Sequence, residues 1–129
     1  MKLFRKIIRE IFRSKITKRF INSSQYWEDR YYYGGNSGRG SYLEEANIKA
    51  NFLNNTIQKF DLDYIVDIGC GDGNNLGLFK SPNYFGIDLS ETIIKKNIRK
   101  FIRDKSKKFY LLKDNQIKII NEINSIVNQ

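Results

Sequence analysis

The sequence predicts an α/β domain: a parallel sheet of three strands in spatial order 3-2-1, with helices on both faces. Three observations predict it. Tyr64-Ile65-Val66-Asp67-Ile68 is rich in β-branched residues and runs straight into Gly69-Cys70-Gly71-Asp72-Gly73, a strand ending in a tight, side-chain-poor turn. Tyr84-Phe85-Gly86-Ile87 reads as a second strand, ended by Asp88, and Lys107 to Leu112 reads as a third. The stretches between them have helical apolar spacing, and right-handed crossovers then fix the strand order.

The elements follow in chain order. Leu3, Phe4, Ile7, Ile8, Ile11, Phe12 and Ile16 recur at helical spacing with Lys2, Arg5, Lys6, Arg9 and Arg13 between them, a basic amphipathic helix placed over residues 1–22. Apolar runs there never exceed two residues, which excludes a membrane span and a secretory core in that stretch. Two fates are open to it: lying on an anionic membrane surface, or docking on its own domain with the basic face solvated. No groove-reading motif accompanies it, so nucleic acid is not the expected partner. Residues 23–129 form the second part.

Gln25 to Ser41 ends in a loop containing Gly34, Gly35, Gly38 and Gly40, after three consecutive tyrosines. Ser41-Tyr42-Leu43-Glu44 has the form of a capping box. Leu43, Ala46, Ala50, Leu53, Ile57 and Phe60 then predict a helix whose one buried stripe packs on the sheet. Asn74 to Lys80 leaves room for about two helical turns, the first aiming its N–H groups at the glycine turn as a site for a ligand carboxylate. Ser81-Pro82-Asn83 is a turn. Ser90 caps a helix with Ile93, Ile94, Ile98, Phe101 and Ile102 inside and Lys95, Lys96, Arg99, Lys100 and Arg103 outside. Gln116 to Val127 is the last helix, with Ile119, Ile120, Ile123, Ile126 and Val127 as its apolar set.

Composition narrows the chemistry. At 129 residues the chain is one small domain at most. It has no histidine, which removes Ser-His-Asp and Cys-His catalysis and His-containing metal sites. Cys70 is the single cysteine, so there is no internal disulfide; a reducing, cytoplasmic setting fits, with peripheral membrane attachment if the basic helix binds lipid. Cys70 reads as a small residue filling the turn rather than a nucleophile. The net charge is +9, and residues 1–20 hold most of it, with Glu10 their one acid.

A glycine turn after a first strand and an acid after a second form a nucleoside-binding arrangement, with the acid on the ribose hydroxyls. Two ligand classes compete for it. A dinucleotide site needs Gly-x-Gly-x-x-Gly/Ala, and Asn74 stands at its last position. Asp67 and Asp72 flank the turn, and carboxylates there oppose a pyrophosphate but suit a ligand with a cationic end.

Asp67-x-Gly69-x-Gly71-x-Gly73 resembles the first motif of class I S-adenosylmethionine-dependent methyltransferases, and Gly86-Ile87-Asp88-Leu89-Ser90 resembles the second. Trp27, Arg30, Tyr31, Gly34, Gly35, Ser37, Gly38, Gly40 and Ser41 look like the leader before the first strand in one bacterial group of these enzymes, where it closes over the pocket; a structural Ω-type loop is the other reading. The phrase Asp104 to Phe109 resembles the same group. The resemblance implies a Rossmann-like fold and S-adenosyl-L-methionine as cofactor. It places Asp67 near the ligand ammonium, Gly69 and Gly71 along the methionine moiety and Asp88 at the ribose, and counts Cys70 and Leu89 among the cofactor-binding residues. A polar residue after strand three often contacts adenine in this family, and Asp114 loosely fits. It names no catalytic base and no methyl acceptor.

The resemblance covers only the first half of that fold, strands four to seven having no counterpart. The expectation is therefore an incomplete, truncated domain, its first strand open along one edge to a homodimer partner or another chain. The alternatives are a catalytically inactive remnant or a partner-dependent cofactor-binding fragment. A dinucleotide-dependent oxidoreductase stands third.

Overall fold

The computed structural model describes residues 20–80, 83–113 and 116–128. The basic helix expected over residues 1–22 falls almost wholly outside them, as do Ser81 and Pro82 of the expected turn, and Asp114. The described elements run in order α1 (Ser23–Tyr32), α2 (Leu43–Phe60), β1 (Tyr64–Ile68), β2 (Asn83–Asp88), α3 (Glu91–Lys100), β3 (Lys107–Leu111) and α4 (Gln116–Val127), with short 3-10 turns at Arg39–Ser41 and Asn75–Leu78. The three strands form one parallel sheet in the order β1-β2-β3, as the sequence predicts.

Register decides which layer covers which residue. Val66 pairs with Phe85 and Ile68 with Ile87, so all four share one face. On that face Phe85, Ile87, Ile119 and Ile123 make the core, with Tyr110, Leu112 and Val127 packed against it. Full burial of such a side chain contributes about 1.5–3 kcal/mol. The opposite face carries Asp67, Tyr84, Gly86 and Phe109 and is covered by α3, whose following Phe101 stacks on Phe109 at 5.6 Å.

The cover is uneven. α4 reaches β2 and β3 but leaves β1 bare: Tyr64 is 42 % exposed, Val66 40 % and Ile68 75 %. Among the described residues no strand pairs with the outer edge of β1. Backbone groups of an edge strand without a partner are left to water.

Several expectations need correction. The residues from Gln25 lie in an α-helix before the glycine loop begins. Asn22 caps it, its side chain accepting from Gln25 N at 2.8 Å, and Trp27 stacks on Tyr31 one turn later at 5.7 Å. The capping box does not form. Ser41 ends a 3-10 turn, Tyr42 takes the N-cap position without a side-chain bond, and Leu43 enters the helix at φ 53°. In α2 only Ala46, Ala50 and Ile57 of the predicted stripe are fully buried; Leu43 and Phe60 are exposed. Its main packing is on the two 3-10 turns rather than the sheet.

Asn74 to Lys80 makes a 3-10 turn, too short for the expected helix terminus. In α3 the inside position falls to Asn97, while Ile98 and Ile102 face solvent; in α4 Ile120 does the same. The Ser90 cap is as predicted, its hydroxyl accepting from Ile93 N at 3.2 Å. No helix among the described residues is long and apolar enough to cross a membrane.

Candidate functional site

Gly69, Gly71 and Gly73 all take positive φ, which L side chains rarely adopt, so the turn after β1 is written in glycine for conformational reasons first. Their surroundings then differ. A Cβ on Gly69 would meet open space. One on Gly71 would collide with Ser37 Oγ, and one on Gly73 would press on Asn97 and Phe101. The turn therefore offers one open backbone position, one covered by the leader and one packed on α3.

Asp88 lies directly beneath this turn. Its Oδ2 accepts from Gly71 N at 2.9 Å and its Oδ1 from Ser90 N at 3.0 Å, and the residue is 7 % exposed. The acid at the end of β2 thus fastens the loop at the end of β1, beside the backbone bonds that Gly69 N and Cys70 N donate to Ile87 O at 2.7 and 3.1 Å. A carboxylate has about four acceptor positions, so two are still free on Asp88. Leu89 follows, half-buried, in the bend into α3.

Asp67 reaches across the sheet on the α3 face, where Tyr84 Oη donates to its Oδ2 at 2.6 Å. Burial, and then the Asp67 carboxylate, push the Tyr84 phenol well up, so it stays a donor. Cys70 packs between these groups, its sulfur where a Cβ on Gly86 would come within 3.0 Å. Burial and the Asp88 and Asp67 carboxylates raise its thiol, which keeps it protonated and a packing residue.

Asp72 does not face an open ligand space. Its Oδ2 accepts from Tyr42 Oη at 2.5 Å and Ser37 N at 3.0 Å, and its Oδ1 from Asn74 N at 3.1 Å. Ser37 Oγ in turn accepts from Asp72 N at 2.8 Å and bonds Tyr31 Oη at 3.0 Å. Burial alone would raise the Asp72 carboxyl, but the bonds from Tyr42, Ser37 and Asn74 hold it below its ordinary value. Burial pushes Tyr31 and Tyr42 up to about 12, with bonded Asp72 adding to the effect on Tyr42.

A second latch holds α1. Glu28 accepts from Ser90 Oγ at 2.7 Å, from Thr92 N at 3.1 Å and from Thr92 Oγ1. Those bonds outweigh burial and lower its carboxyl. Lys96 Nζ closes the same seam on Tyr31 O at 2.8 Å.

The leader residues named from the sequence come together around this seam. Tyr31 is 2 % exposed, Arg30 lies over the Trp27 ring at 5.5 Å and donates to Asn36 O at 2.5 Å, and Gly35 packs so closely on Arg30 that a Cβ would fall 2.7 Å from its carbonyl oxygen. Gly34 and Gly38 take positive φ.

Two contacts that hold the turn and α1 in place were missed in the sequence. Asn97 is 1 % exposed and donates from Nδ2 to Gly71 O at 2.7 Å, tying the turn to α3. The signal was an asparagine on the Ile93-to-Phe101 stripe, where an apolar residue belongs. Glu28 carried no such signal, because its partners lie more than sixty residues away.

A recess of about 470 Å³ lies elsewhere, lined by Ile57, Asp61, Asp63 and Lys80 among others. It sits where β1 and β2 begin, the edge opposite the glycine turn, whereas open parallel sheets bind ligands beyond the carboxyl ends of their strands. Among the described residues no cluster of acidic or thiol groups is arranged to hold a metal ion. No family model, no curated protein and no solved structure matches the chain.

Proposed function

We propose that this chain is the cofactor-binding portion of an S-adenosylmethionine-dependent methyltransferase built on a Rossmann-like sheet. One observation carries the reading: the Asp88 carboxylate bonds Gly71 N, which joins the acid after β2 to the glycine turn after β1 in a single cradle. The residues present suit the ligand. The free acceptor positions of Asp88 match a ribose diol, and the open space over Gly69 admits close approach of a methionine chain. Asp67, Asp72 and Asp88 have neutral partners, and none of the ion pairs among the described residues involves them. Their charge favours an ammonium and a sulfonium over a pyrophosphate. Methyl transfer from a sulfonium is a displacement that needs chiefly proximity and orientation, and no side chain here is assigned as a base.

Titration calorimetry of the full chain with S-adenosylmethionine and with NAD tests the reading. Binding of the first and not the second is expected. NAD binding without S-adenosylmethionine binding sinks it and restores the oxidoreductase alternative.

A second reading is a cofactor-binding unit that acts only with another chain. The bare outer edge of β1 and its exposed Tyr64, Val66 and Ile68 favour it. Turnover of labelled cofactor by a monomer confirmed by light scattering argues against it.

A further inference from the structure

We infer that the bare edge of β1 pairs with β1 of a second copy of this chain, antiparallel, about a two-fold axis at Val66. This rests on the second reading above, a unit that acts only with another chain, and names that chain. The backbone decides what the edge offers. Gly69 N donates to Ile87 O at 2.7 Å, so Gly69 turns its polar groups to β2. Backbone groups alternate sides along a strand, so Ile65 and Asp67 turn the same way. Tyr64, Val66 and Ile68 therefore present their N–H and C=O groups outward, and among the described residues no strand meets them.

This set is complementary to itself. With Val66 opposite Val66 of the second copy, Tyr64 stands opposite the second copy's Ile68, and Ile68 opposite its Tyr64. Those pairs exchange both of their bonds, and every outward group on both strands is satisfied. Sliding the strands by two residues leaves Tyr64 or Ile68 without a strand partner. The slide toward Ile68 also sets Asp67 opposite Asp67, and like charges directly opposite are destabilising. In the Val66-centred pairing Asp67 faces Ile65 instead.

The side chains agree with the backbone. Tyr64, Val66 and Ile68 share the α4 face and are exposed there, so pairing lays Tyr64 on Ile68 twice and Val66 on Val66 in one apolar ladder. The two edges of the sheet also differ. β3 carries Lys107 and Lys108 and is followed by Lys113, and lysines keep an edge strand from pairing. β1 has no lysine, and its one charge, Asp67, is bonded to Tyr84 on the α3 face. A two-fold uses the same patch on both copies and closes the assembly at two chains, with one continuous sheet.

Sedimentation equilibrium and thiol cross-linking of the full chain test the pairing. The wild type should be a concentration-dependent dimer, and Ile68→Lys should raise its dissociation constant at least about tenfold. Val66→Cys should be joined by a short bis-maleimide, because the two thiols meet at the axis. Ile68→Cys should not, because four residues of antiparallel strand part the two thiols by about 14 Å. The wild type, with Cys70 alone, is the control. A dimer untouched by Ile68→Lys, or one joined through Ile68→Cys and not through Val66→Cys, overturns the pairing at Val66. A wild type that is monomeric at every concentration overturns the pairing outright, and slow exchange of its Val66 and Ile68 amides then means that the chain covers the edge itself. If that monomer also turns over labelled cofactor, the second reading falls with the pairing; if it does not, the pairing alone falls.

Discussion

Asp72→Asn should release the leader from the glycine turn. The carboxylate holds three bonds, and two of them, from Tyr42 Oη and Ser37 N, share Oδ2. An amide has one acceptor oxygen. If that oxygen stays at the Oδ2 position, both leader bonds persist without charge and an NH2 group faces Asn74 N. If it turns, both leader bonds are lost. Hydrogen bonds to a charged group contribute about 1.5–3 kcal/mol and neutral ones about 0.5–1.5, so the change is about 1–3 kcal/mol. That is roughly a 5- to 150-fold rise in the open fraction of the leader.

Hydrogen exchange across residues 33–42 reads this directly, since Ser37 N is one of the bonded donors. Its protection should fall by about the same factor while β2 and α3 stay protected. Ligand affinity then tells where the ligand sits. Ser37 lies over Gly71, so a ligand that must displace it binds the variant more tightly, and one that slides beneath the closed leader binds it more weakly. Unchanged exchange in 33–42 refutes the latch.

Asp88→Ala should lower S-adenosylmethionine affinity about 10- to 150-fold by calorimetry, and it should also destabilise the chain, because Gly71 N and Ser90 N lose their acceptor. Docking of the leader should hold across neutral pH and fail at both ends. Glu28 and Asp72 are lowered on folding, so their contribution is complete above the ordinary carboxylate range near pH 4 and lost as pH falls through the lowered values. Tyr31 and Tyr42 are raised to about 12, so theirs is complete below pH 10 and lost as pH rises through 12; thermal melting against pH checks both limbs. Ile68→Lys should leave the melting temperature nearly unchanged, since that residue is 75 % exposed, yet reduce self-association measured by light scattering.

The sheet was legible because its signals are local. Ile65, Val66 and Ile68 before a glycine turn, and Tyr84 to Ile87 before Asp88, leave little room for another assignment. Helix faces were legible only where packing follows spacing. Ile93 and Ile94 are buried as expected, but Asn97 takes the next inside position because the turn needs a donor there, which turns Ile98 and Ile102 outward. Phe60 and Leu43 fit a stripe by period, yet they lie at the ends of α2, beyond what the two 3-10 turns cover. The Ser41 box failed for a backbone reason: the 3-10 turn at Arg39–Ser41 delays the helix, and Tyr42 arrives at the cap instead.

The three aspartates around the turn show what a spacing pattern leaves undecided. In sequence, charge turns Asp67 and Asp72 toward a cationic ligand, and position after the second strand turns Asp88 toward a ribose. In the fold each has a different partner: Tyr84 for Asp67, the leader for Asp72, and the backbone of both motifs for Asp88. All the donors are neutral, so the bonds orient the carboxylates without cancelling their charge. Asp72 therefore acts twice, once as the hook for Ser37 and Tyr42 and once as part of the negative field at the carboxyl edge. On the proposed function, a cationic ligand at the turn would have to compete with Ser37 and Tyr42 for Asp72. On that same function, ligand binding and leader opening would be coupled through this one carboxylate, and by linkage whatever loosens the leader would change the affinity of the turn for that ligand.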